Sequence, residues 1–379
     1  MAKFAIITYA KSFDKKNNIF CIGGMETYIQ DLAKLVLSKG HKVEVIIPSD
    51  DNFKVTVDDI VVRGIVLRKR WYESIYQALY NYAIQEISTS QDRLIVATEL
   101  LGIKAYHKQV IAIQHGIGFD YPYQYQASIE KKGRVVARFF KFLRCYIHVK
   151  RFSNYRNLVC VDYNYINWYR TLDTIWKGMK VRVIPNYTSN FIDKEKINEK
   201  LDQREKIKII FARRFVECRG TQMFVEISKK LLLQYDNIEI TFAGDGELKH
   251  LIESTFEDEP RVKLTTFNPV DSVVFHYHYD IAVVPTIYSE GTSLSLCEAM
   301  AAGCLPVVTF VGGISNIILD GYNGLMCYPS EEDFYEKMQY ALAMPKENFN
   351  RMVINARESV ECSFSIRNWQ QKWADLLEI

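Results

Sequence analysis

The chain has 379 residues. Because one hydrophobic core rarely serves more than about 250 to 300 residues, this length predicts two domains. Apolar residues at 48% and charged residues at 25% exclude a disordered chain, a collagen-like chain and a small disulfide scaffold. The formal net charge of +3 is too small to indicate binding to nucleic acid. The eight cysteines form no C-x-x-C pair, and apolar runs stay short, so we predict a reduced, cytoplasmic protein without a membrane span.

The first half of the chain alternates short apolar runs with helix-length segments. Apolar, β-branched runs predict strands at 4–8 and 43–48, and helical spacing predicts a helix at 25–37 between them. Further strands are predicted at 94–97, 110–113, 158–161 and 181–184. This order predicts an α/β domain with a parallel sheet.

The second half begins after a polar, charged stretch at 189–206, which is typical of a linker, so the predicted domain boundary lies between 188 and 189. Strands then follow at 207–211, 238–243, 262–265, 281–285 and 306–309, with a helix at 223–234. Two doubly wound domains are predicted. Their ligand-binding loops would lie at the carboxyl ends of the strands, beside a cleft between the domains.

Three glycine- or arginine-bearing loops follow predicted strands. Gly23 and Gly24 precede the first helix, where bare amides could approach a phosphate or a sugar, although a flexible turn explains them equally well. Arg213 and Arg219 lie between a strand and a helix, and their guanidiniums suit diphosphate oxygens. Gly244 opens an Asp-Gly turn, which by itself indicates little.

The segment 285–303 is the most informative stretch of the chain. It predicts a strand end, a loop of small residues, and a helix capped by Thr292 or Ser293 and closed by Gly303. The amides at this helix start could receive a phosphate; they belong to Gly291, Thr292, Ser293 and Leu294. Glu290 and Glu298 flank the helix start and could hold hydroxyl groups, although either could also be a solvated surface glutamate.

The Glu290 to Glu298 spacing, with Glu-Ala-Met-Ala-Ala-Gly and Pro-Val-Val after it, resembles the donor-binding signature of retaining GT-B glycosyltransferases of the family 4 type. That family is typified by bacterial lipopolysaccharide, capsule and exopolysaccharide enzymes. Further segments match in the family's order: Gly23-Gly24, Gln114-His115-Gly116, Ile184-Pro185-Asn186, the Arg213 to Gly220 segment, Gly244-Asp245-Gly246 and Gly312-Gly313. Two residues depart from the pattern, Ala212 in place of a frequent glycine and Asn316 in place of a glutamate.

The resemblance implies two Rossmann-like domains facing a central cleft. Residues 1–188 would form the acceptor-binding domain and 189–379 the donor-binding domain, with the last helix packing back on the first domain. The implied reaction moves a hexose from a nucleoside diphosphate sugar, a UDP-sugar in preference to a GDP-sugar, to a glycan acceptor with retention at the anomeric carbon. It needs no cofactor and no metal, in agreement with the lack of an Asp-x-Asp motif after any strand.

The resemblance also assigns roles to individual residues. Arg213 and Arg219 would contact the diphosphate, Glu290 the donor sugar and Glu298 the ribose. His115 would face the donor sugar near its C6 position, with a purely structural histidine as the alternative. The implied catalytic set is therefore His115, Glu290, Arg213 and Arg219.

The segment 131–156 carries nine Lys or Arg and no Asp or Glu, beside apolar residues at helical spacing. Such a helix can bind an anionic membrane surface, or it can pack against a core and present a solvated basic face. Together with the resemblance, this helix favours a lipid-linked acceptor and a peripheral position on the inner face of the cytoplasmic membrane.

Two other functions are compatible with the same motifs. A nucleotide-sugar epimerase of the same fold would consume donor without an acceptor. A non-catalytic subunit would bind the sugar nucleotide tightly without turnover. The pair Glu290 and Glu298 together with His115 favours an active transferase, whereas Asn316 is the one residue that favours the inactive alternative.

Overall fold

The computed structural model describes residues 1–21, 23–116, 128–129, 131–172, 180–203 and 205–379. The chain divides into two compact units. Unit 1 comprises Met1–Pro185 and Trp369–Ile379, and unit 2 comprises Asn186–Asn368. The division falls after Pro185, slightly ahead of the boundary that the sequence predicted at 188.

Unit 1 is built on an eight-stranded sheet in the order β10-β9-β8-β7-β1-β4-β6-β5. All neighbouring strands are parallel except β5 and β6, which form an antiparallel hairpin at one edge. The strands are β1 Lys3–Ile7, β4 Lys42–Pro48, β5 Phe53–Val57, β6 Ile60–Ile65, β7 Arg93–Val96, β8 Val110–Gln114, β9 Asn157–Cys160 and β10 Lys180–Val183, and a small separate pair is formed by β2 Phe13–Asp14 and β3 Ile19–Phe20.

The α-helices described within Met1–Pro185 are α1 Gly24–Ser38, α2 Ile75–Ala83, α3 Arg134–Lys150 and α4 Asn164–Leu172. Helix α1 buries a stripe of apolar residues at the expected helical spacing, including Ile29, Leu32 and Val36. It ends before Gly40, whose φ of +76° favours glycine.

Helix α3 differs from α1 because its apolar side chains face outward. Among its residues only Cys145 and Val149 are buried, whereas Val135, Phe139 and Phe142 are each more than half exposed. Helix α3 thus packs on the core of unit 1 through Cys145 and Val149, and its solvated face carries apolar as well as basic side chains. Within the described part of the chain, no helix is both long and apolar enough to cross a membrane.

Unit 2 is built on a six-stranded, wholly parallel sheet in the order β13-β12-β11-β14-β15-β16. Alternate residues of its central strand enter two different cores: Ile209 and Phe211 join one, and Ile210 and Ala212 join the other. The sheet is thus buried on both faces, as parallel sheets are. The strands are β11 Ile207–Ala212, β12 Ile238–Ala243, β13 Val262–Thr265, β14 Ile281–Val284, β15 Leu305–Thr309 and β16 Leu325–Cys327.

The helices that cover this sheet include one that the sequence did not predict. The stretch 189–206 is not a linker, because 194–202 form a helix that buries Ile197 and Leu201, one helical turn apart. The helices from here to the end of the chain are α5 Lys194–Asp202, α6 Thr221–Gln234, α7 Lys249–Thr255, α8 Ser272–His276, α9 Leu294–Ala301, α10 Glu331–Leu342, α11 Lys346–Ser363 and α12 Ile366–Leu377. Most of α12 belongs to unit 1.

Helix α12 is joined to α1 by a buried hydrogen bond within unit 1. The indole Nε1 of Trp373 donates to the hydroxyl of Tyr28 over 2.8 Å, and both side chains are almost completely buried. A buried N–H group that loses its hydrogen-bond acceptor lowers the stability of the fold, because it has given up its hydrogen bonds to water.

We expect Tyr28→Phe to lower the free energy of unfolding of unit 1 by about 1 to 3 kcal/mol, because the indole N–H of Trp373 loses its acceptor. Urea titration of the full chain, followed by tryptophan fluorescence, measures this loss. The double variant Tyr28→Phe/Trp373→Phe should lose less than the sum of the two single variants, because it removes the donor and the acceptor together. Strict additivity would contradict the role of this bond.

Candidate functional site

Three loops of unit 2 converge at the carboxyl ends of neighbouring strands. They follow β11, β14 and β15, which lie side by side in the sheet. The first loop carries Arg213 and Arg219, the second carries Glu290, and the third carries the glycine pair Gly312-Gly313. Carboxyl ends of parallel strands are where α/β proteins bind their ligands.

Glu290 is the centre of this arrangement. Arg213 Nη2 donates to both of its carboxylate oxygens, at 2.8 and 2.6 Å, and Arg219 Nη1 donates to Oε2. Thr286 Oγ1 donates to Oε2 over 2.8 Å and accepts a hydrogen bond from Arg213 Nη1. The side chains of Arg213, Glu290 and Arg219 are only 5%, 10% and 27% exposed. The two arginines that the sequence assigned to one ligand are therefore within reach of one carboxylate.

Burial alone would raise the pKa of Glu290. The charges of Arg213 and Arg219 oppose this effect and, together with hydrogen bonds from Arg213 and Thr286, lower the pKa to about 2. Glu290 is consequently ionised at neutral pH and acts only as a hydrogen-bond acceptor. The cluster carries two positive charges and one negative charge, which leaves a net positive charge at the strand ends.

Glycines allow the loops of the site to approach one another closely. A Cβ at Gly220 would lie 1.8 Å from the carbonyl oxygen of Pro285, and one at Gly312 would lie 2.1 Å from that of Glu290. Gly313 N also donates to the Glu290 carbonyl over 2.6 Å. Gly244 packs in the same way against the backbone of Arg213, where a Cβ would lie 2.1 Å from its carbonyl oxygen. Gly244 thus supports the Arg213 loop.

Helix α9 begins just beyond Glu290, with Ser293 as its N-cap residue. A residue distant in the sequence anchors the loop before this helix, because Asn186 Nδ2 donates to the carbonyl of Thr292 over 2.7 Å. Gly303 follows the end of the helix with a φ of +75°, as the sequence predicted for a closing glycine. The amides of Gly291, Thr292, Ser293 and Leu294 thus lie at or before the first turn of α9.

Glu298 lies within α9, eight residues after Glu290 in the sequence. Its Oε2 accepts a hydrogen bond from Ser272 Oγ at 2.7 Å, and burial raises its pKa while this bond lowers it. Ser272 starts α8, and its carbonyl oxygen accepts a 2.7 Å hydrogen bond from His276 Nδ1. The imidazole of His276 is buried, which lowers its pKa to about 4.

Gly23, Gly24 and His115 belong to unit 1. His115 follows β8, and its Nε2 donates to the carbonyl of Ala97 over 2.9 Å. Its ring meets that of Tyr28 edge to face at 5.1 Å, and Tyr28 lies in α1 shortly after Gly23-Gly24. Burial lowers the pKa of His115 to about 4, so the imidazole is neutral at pH 7.

The structure brings three of the predicted site residues, Arg213, Arg219 and Glu290, into contact, and it adds three residues to which the sequence gave no role. Thr286, Asn186 and Ser272 orient Glu290, the α9 loop and Glu298 respectively. Asn186 and Thr286 carried a signal, since both lie in segments that the sequence singled out. Ser272 carried none, because its partner is distant in the sequence. Among the residues that the structure describes, no group of three or more His, Cys, Asp or Glu could hold a metal ion.

Comparison with known proteins relates the chain to glycosyltransferases. Residues 193–359 match the family model of glycosyl transferases group 1. This stretch lies within unit 2, covers most of it, and includes Arg213, Arg219, Glu290 and Glu298. The match agrees with the family that the motifs of this part of the chain resemble.

Two curated relatives resemble part of the chain. An uncharacterized glycosyltransferase of Methanocaldococcus jannaschii is 29% identical over 167 residues, which cover 41% of this chain and 42% of that protein. A D-inositol 3-phosphate glycosyltransferase of Paenarthrobacter aurescens is 30% identical over 190 residues, covering 45% of this chain and 42% of that protein. The matches thus span less than half the length of these relatives.

Solved structures resemble the chain over its whole length. Sucrose-phosphate synthase from Thermosynechococcus elongatus superimposes with a TM-score of 0.72 at 16% identity, covering 100% of this chain and 98% of that one. HepE from Anabaena in complex with UDP and glucose superimposes with a TM-score of 0.69 at 13% identity, covering 100% of both chains. These likenesses confirm the predicted GT-B fold. The predicted cleft between the domains stays a prediction.

Proposed function

We propose that the protein is a retaining glycosyltransferase that moves a hexose from a nucleoside diphosphate sugar to a glycan acceptor. The observation that carries this proposal is the cluster of Arg213, Arg219 and Glu290 at the strand ends of the group 1 domain. Guanidinium groups bind phosphate oxygens through paired hydrogen bonds. Two of them beside a helix N-terminus suit a diphosphate better than a single phosphate.

The two glutamates would bind the two sugar rings of the donor. Glu290 is ionised and accepts hydrogen bonds only, so it suits the hydroxyl groups of the transferred hexose. Glu298 lies farther along α9 and suits the ribose hydroxyls, and Ser272 fixes its orientation. A diphosphate held at the start of α9 would lie between the two rings.

The same residues would stabilise the transition state. As the bond between the anomeric carbon and the leaving oxygen breaks, negative charge grows on the departing diphosphate. Arg213 and Arg219 are held in place by Glu290, so their charge is positioned before this change occurs. Glu290 is tied to both arginines, which disfavours it as a covalent nucleophile. Attack by the acceptor on the same face as the leaving group, with the departing phosphate as base, gives retention and needs no metal.

His115 would contribute from unit 1 as a neutral hydrogen-bonding group near C6 of the donor sugar. Because Nε2 donates to the Ala97 carbonyl, the remaining ring nitrogen is an acceptor and could bind a sugar hydroxyl. Gly23 and Gly24 at the start of α1 would offer backbone amides to the same ligand. A UDP-sugar is the favoured donor and a GDP-sugar the alternative, and the complex of HepE with UDP and glucose supports this order.

Helix α3 supports a lipid-linked acceptor in bacterial surface polysaccharide synthesis, such as lipopolysaccharide or capsule. It exposes Phe139 and Phe142 in a segment, 131–156, that contains nine basic residues and no acidic residue. Aromatic side chains enter the lipid interface, and each nearby cation adds about 1 kcal/mol of attraction to anionic lipid. The protein would therefore work as a peripheral protein at the membrane surface.

A donor screen tests the proposed function. Purified full-length protein is titrated calorimetrically with UDP, GDP, ADP and dTDP and their glucose conjugates, with and without EDTA. We expect one nucleotide class to bind, UDP first, with an affinity that EDTA does not change. Donor consumption without an acceptor would indicate an epimerase, and binding of no nucleotide would overturn the proposal.

We expect Glu298→Ala to weaken UDP binding by about 1 to 3 kcal/mol, or roughly 5- to 150-fold in Kd, through loss of the ribose hydrogen bonds. Calorimetry with UDP and with 2′,3′-dideoxy-UDP measures this. Wild-type protein should prefer UDP, whereas the variant should bind the two nucleotides almost equally. An unchanged affinity for UDP would refute the role of Glu298.

We expect Phe139→Ser/Phe142→Ser to lower the affinity for vesicles rich in anionic lipid, measured by co-sedimentation, by about tenfold or more. The reason is that burial of each exposed ring in the lipid interface contributes on the order of 1 kcal/mol to the free energy of binding. The matched control is Leu233→Ser, which removes a strongly exposed apolar side chain from unit 2. Binding that does not depend on anionic lipid, or that is equally reduced by both variants, would contradict the membrane role.

A further inference from the structure

Unit 2 contains a cavity whose lining includes none of the residues that contact Glu290. It has a volume of about 590 Å³, within the range of roughly 300 to 1,000 Å³ that is usual for small-molecule sites. Three aromatic rings line it, those of Phe310, Tyr328 and Tyr340, and each of these residues is more than half exposed. The rings of Phe310 and Tyr328 meet edge to face at 6.4 Å. Exposed aromatic clusters of this kind mark binding surfaces.

The polar groups of the cavity are mostly carboxylates. Asp320, Asp333 and Glu336 line it together with one cation, Lys337. Lys337 Nζ lies 3.5 Å from Asp320 Oδ2, so its charge is partly balanced within the cavity. Asp320 Oδ1 accepts a 2.7 Å hydrogen bond from Met326 N, which fixes the carboxylate against β16. The net negative charge disfavours anionic ligands, and the carboxylate oxygens accept hydrogen bonds from hydroxyl groups.

We infer that this cavity is a carbohydrate subsite that holds a neutral sugar unit of a glycan. A pyranose ring has an apolar C–H face that packs on an aromatic ring, and hydroxyl groups around its edge that donate to carboxylates. The aromatic rings and the carboxylates that line the cavity match these two parts of a pyranose. A phosphorylated or uronic-acid-bearing sugar would be repelled, because three carboxylates outweigh the single lysine in the cavity.

The position of the cavity relates it to the cluster around Glu290. Phe310 follows β15 and Tyr328 follows β16, at the same edge of the sheet, and Phe310 N donates to the Cys327 carbonyl. The loop that starts with Phe310 continues to Gly313, whose amide binds the Glu290 carbonyl. A glycan in this cavity would lie one loop away from Glu290. That such a glycan is the acceptor rests on the proposed function, whereas its binding to the cavity does not.

Binding of defined tetrasaccharides to the full-length protein tests this inference. The probes are maltotetraose, cellotetraose, mannotetraose and chitotetraose as neutral glycans, and tetragalacturonate as the anionic one. We expect saturation-transfer NMR to detect at least one neutral probe, and tetragalacturonate to bind more weakly. Tyr328→Ala and Phe310→Ala should each weaken binding of the neutral probe about tenfold, which is the effect expected for loss of one aromatic contact.

The control variant is Tyr106→Ala, which removes a comparably exposed tyrosine from unit 1 and should leave probe binding unchanged. UDP affinity, measured on the same samples, shows whether each variant is folded and whether the donor site is intact. No binding of any neutral probe by protein that binds UDP would overturn the carbohydrate subsite alone. Equal effects of Tyr328→Ala and Tyr106→Ala, or a preference for tetragalacturonate, would also overturn it. Failure of wild-type protein to bind UDP would instead count against the proposed function.

Discussion

Replacing Arg219 by alanine is expected to lower kcat about 100- to 1,000-fold while weakening UDP binding only about tenfold. The turnover effect is the size seen when one preorganised donor to a developing negative charge is removed. The binding effect corresponds to loss of one charge-assisted hydrogen bond, on the order of 1.5 kcal/mol. The two effects differ because the charge on the diphosphate grows as the glycosidic bond breaks. Turnover with the identified donor and calorimetry with UDP measure them.

Arg214 provides a matched control for this prediction. It lies in the same loop as Arg219 but is exposed to solvent, and the contacts of Glu290 do not include it. Arg214→Ala should therefore leave kcat and UDP affinity nearly unchanged. In Arg219→Ala, Glu290 keeps Arg213 and Thr286 as partners, so the fold should be retained. Equal losses in kcat and in UDP affinity would contradict a role specific to the transition state.

Replacing Gly220 by alanine is expected to cost unit 2 about 2 to 5 kcal/mol. A left-handed backbone conformation costs a residue with a Cβ about 1 to 2 kcal/mol, and overpacking adds about 1 to 3. Gly220 has a φ of +76°, and its Cβ would lie 1.8 Å from the carbonyl oxygen of Pro285. At about 2 to 4 °C per kcal/mol, Tm of the unit 2 transition should fall by about 4 to 20 °C.

Gly321→Ala separates the two contributions. Gly321 also lies in unit 2 with a φ of +78°, but no atom lies within 4 Å of the position of its Cβ. This variant should lose only the conformational part, about 1 to 2 kcal/mol. Gly220→Ala should in addition weaken UDP binding, because the clash displaces the neighbouring Arg219, whereas Gly321→Ala should not. Differential scanning calorimetry and UDP titration test both statements, and equal Tm shifts would show that the Pro285 contact is unimportant.

Most strands of both sheets could be predicted from short apolar runs because burial on both faces of a parallel sheet leaves a local signal in the sequence. Strands β12 and β13 begin and end at the predicted residues, 238–243 and 262–265. The sequence analysis missed the hairpin of β5 and β6, whose residues alternate in burial as expected for a sheet edge with one covered face, and the three-residue strand β16. Helix α5 was missed because only Ile197 and Leu201 anchor it in an otherwise polar segment.

The sequence by itself predicted two α/β units, because alternating strands and helices leave a local periodicity, and it singled out the motif residues of the second unit through their resemblance to a known family. The tertiary structure decided which of these residues touch. Strand order places β11 next to β14, and this adjacency brings Arg213 and Arg219 onto Glu290 across more than 70 residues of sequence. It also decided that the apolar residues of α3 face solvent, and that Phe310, Tyr328 and Tyr340 share one cavity. Contacts between loops that follow different strands depend on the order of the strands in the sheet, and local sequence patterns carry no information about this order.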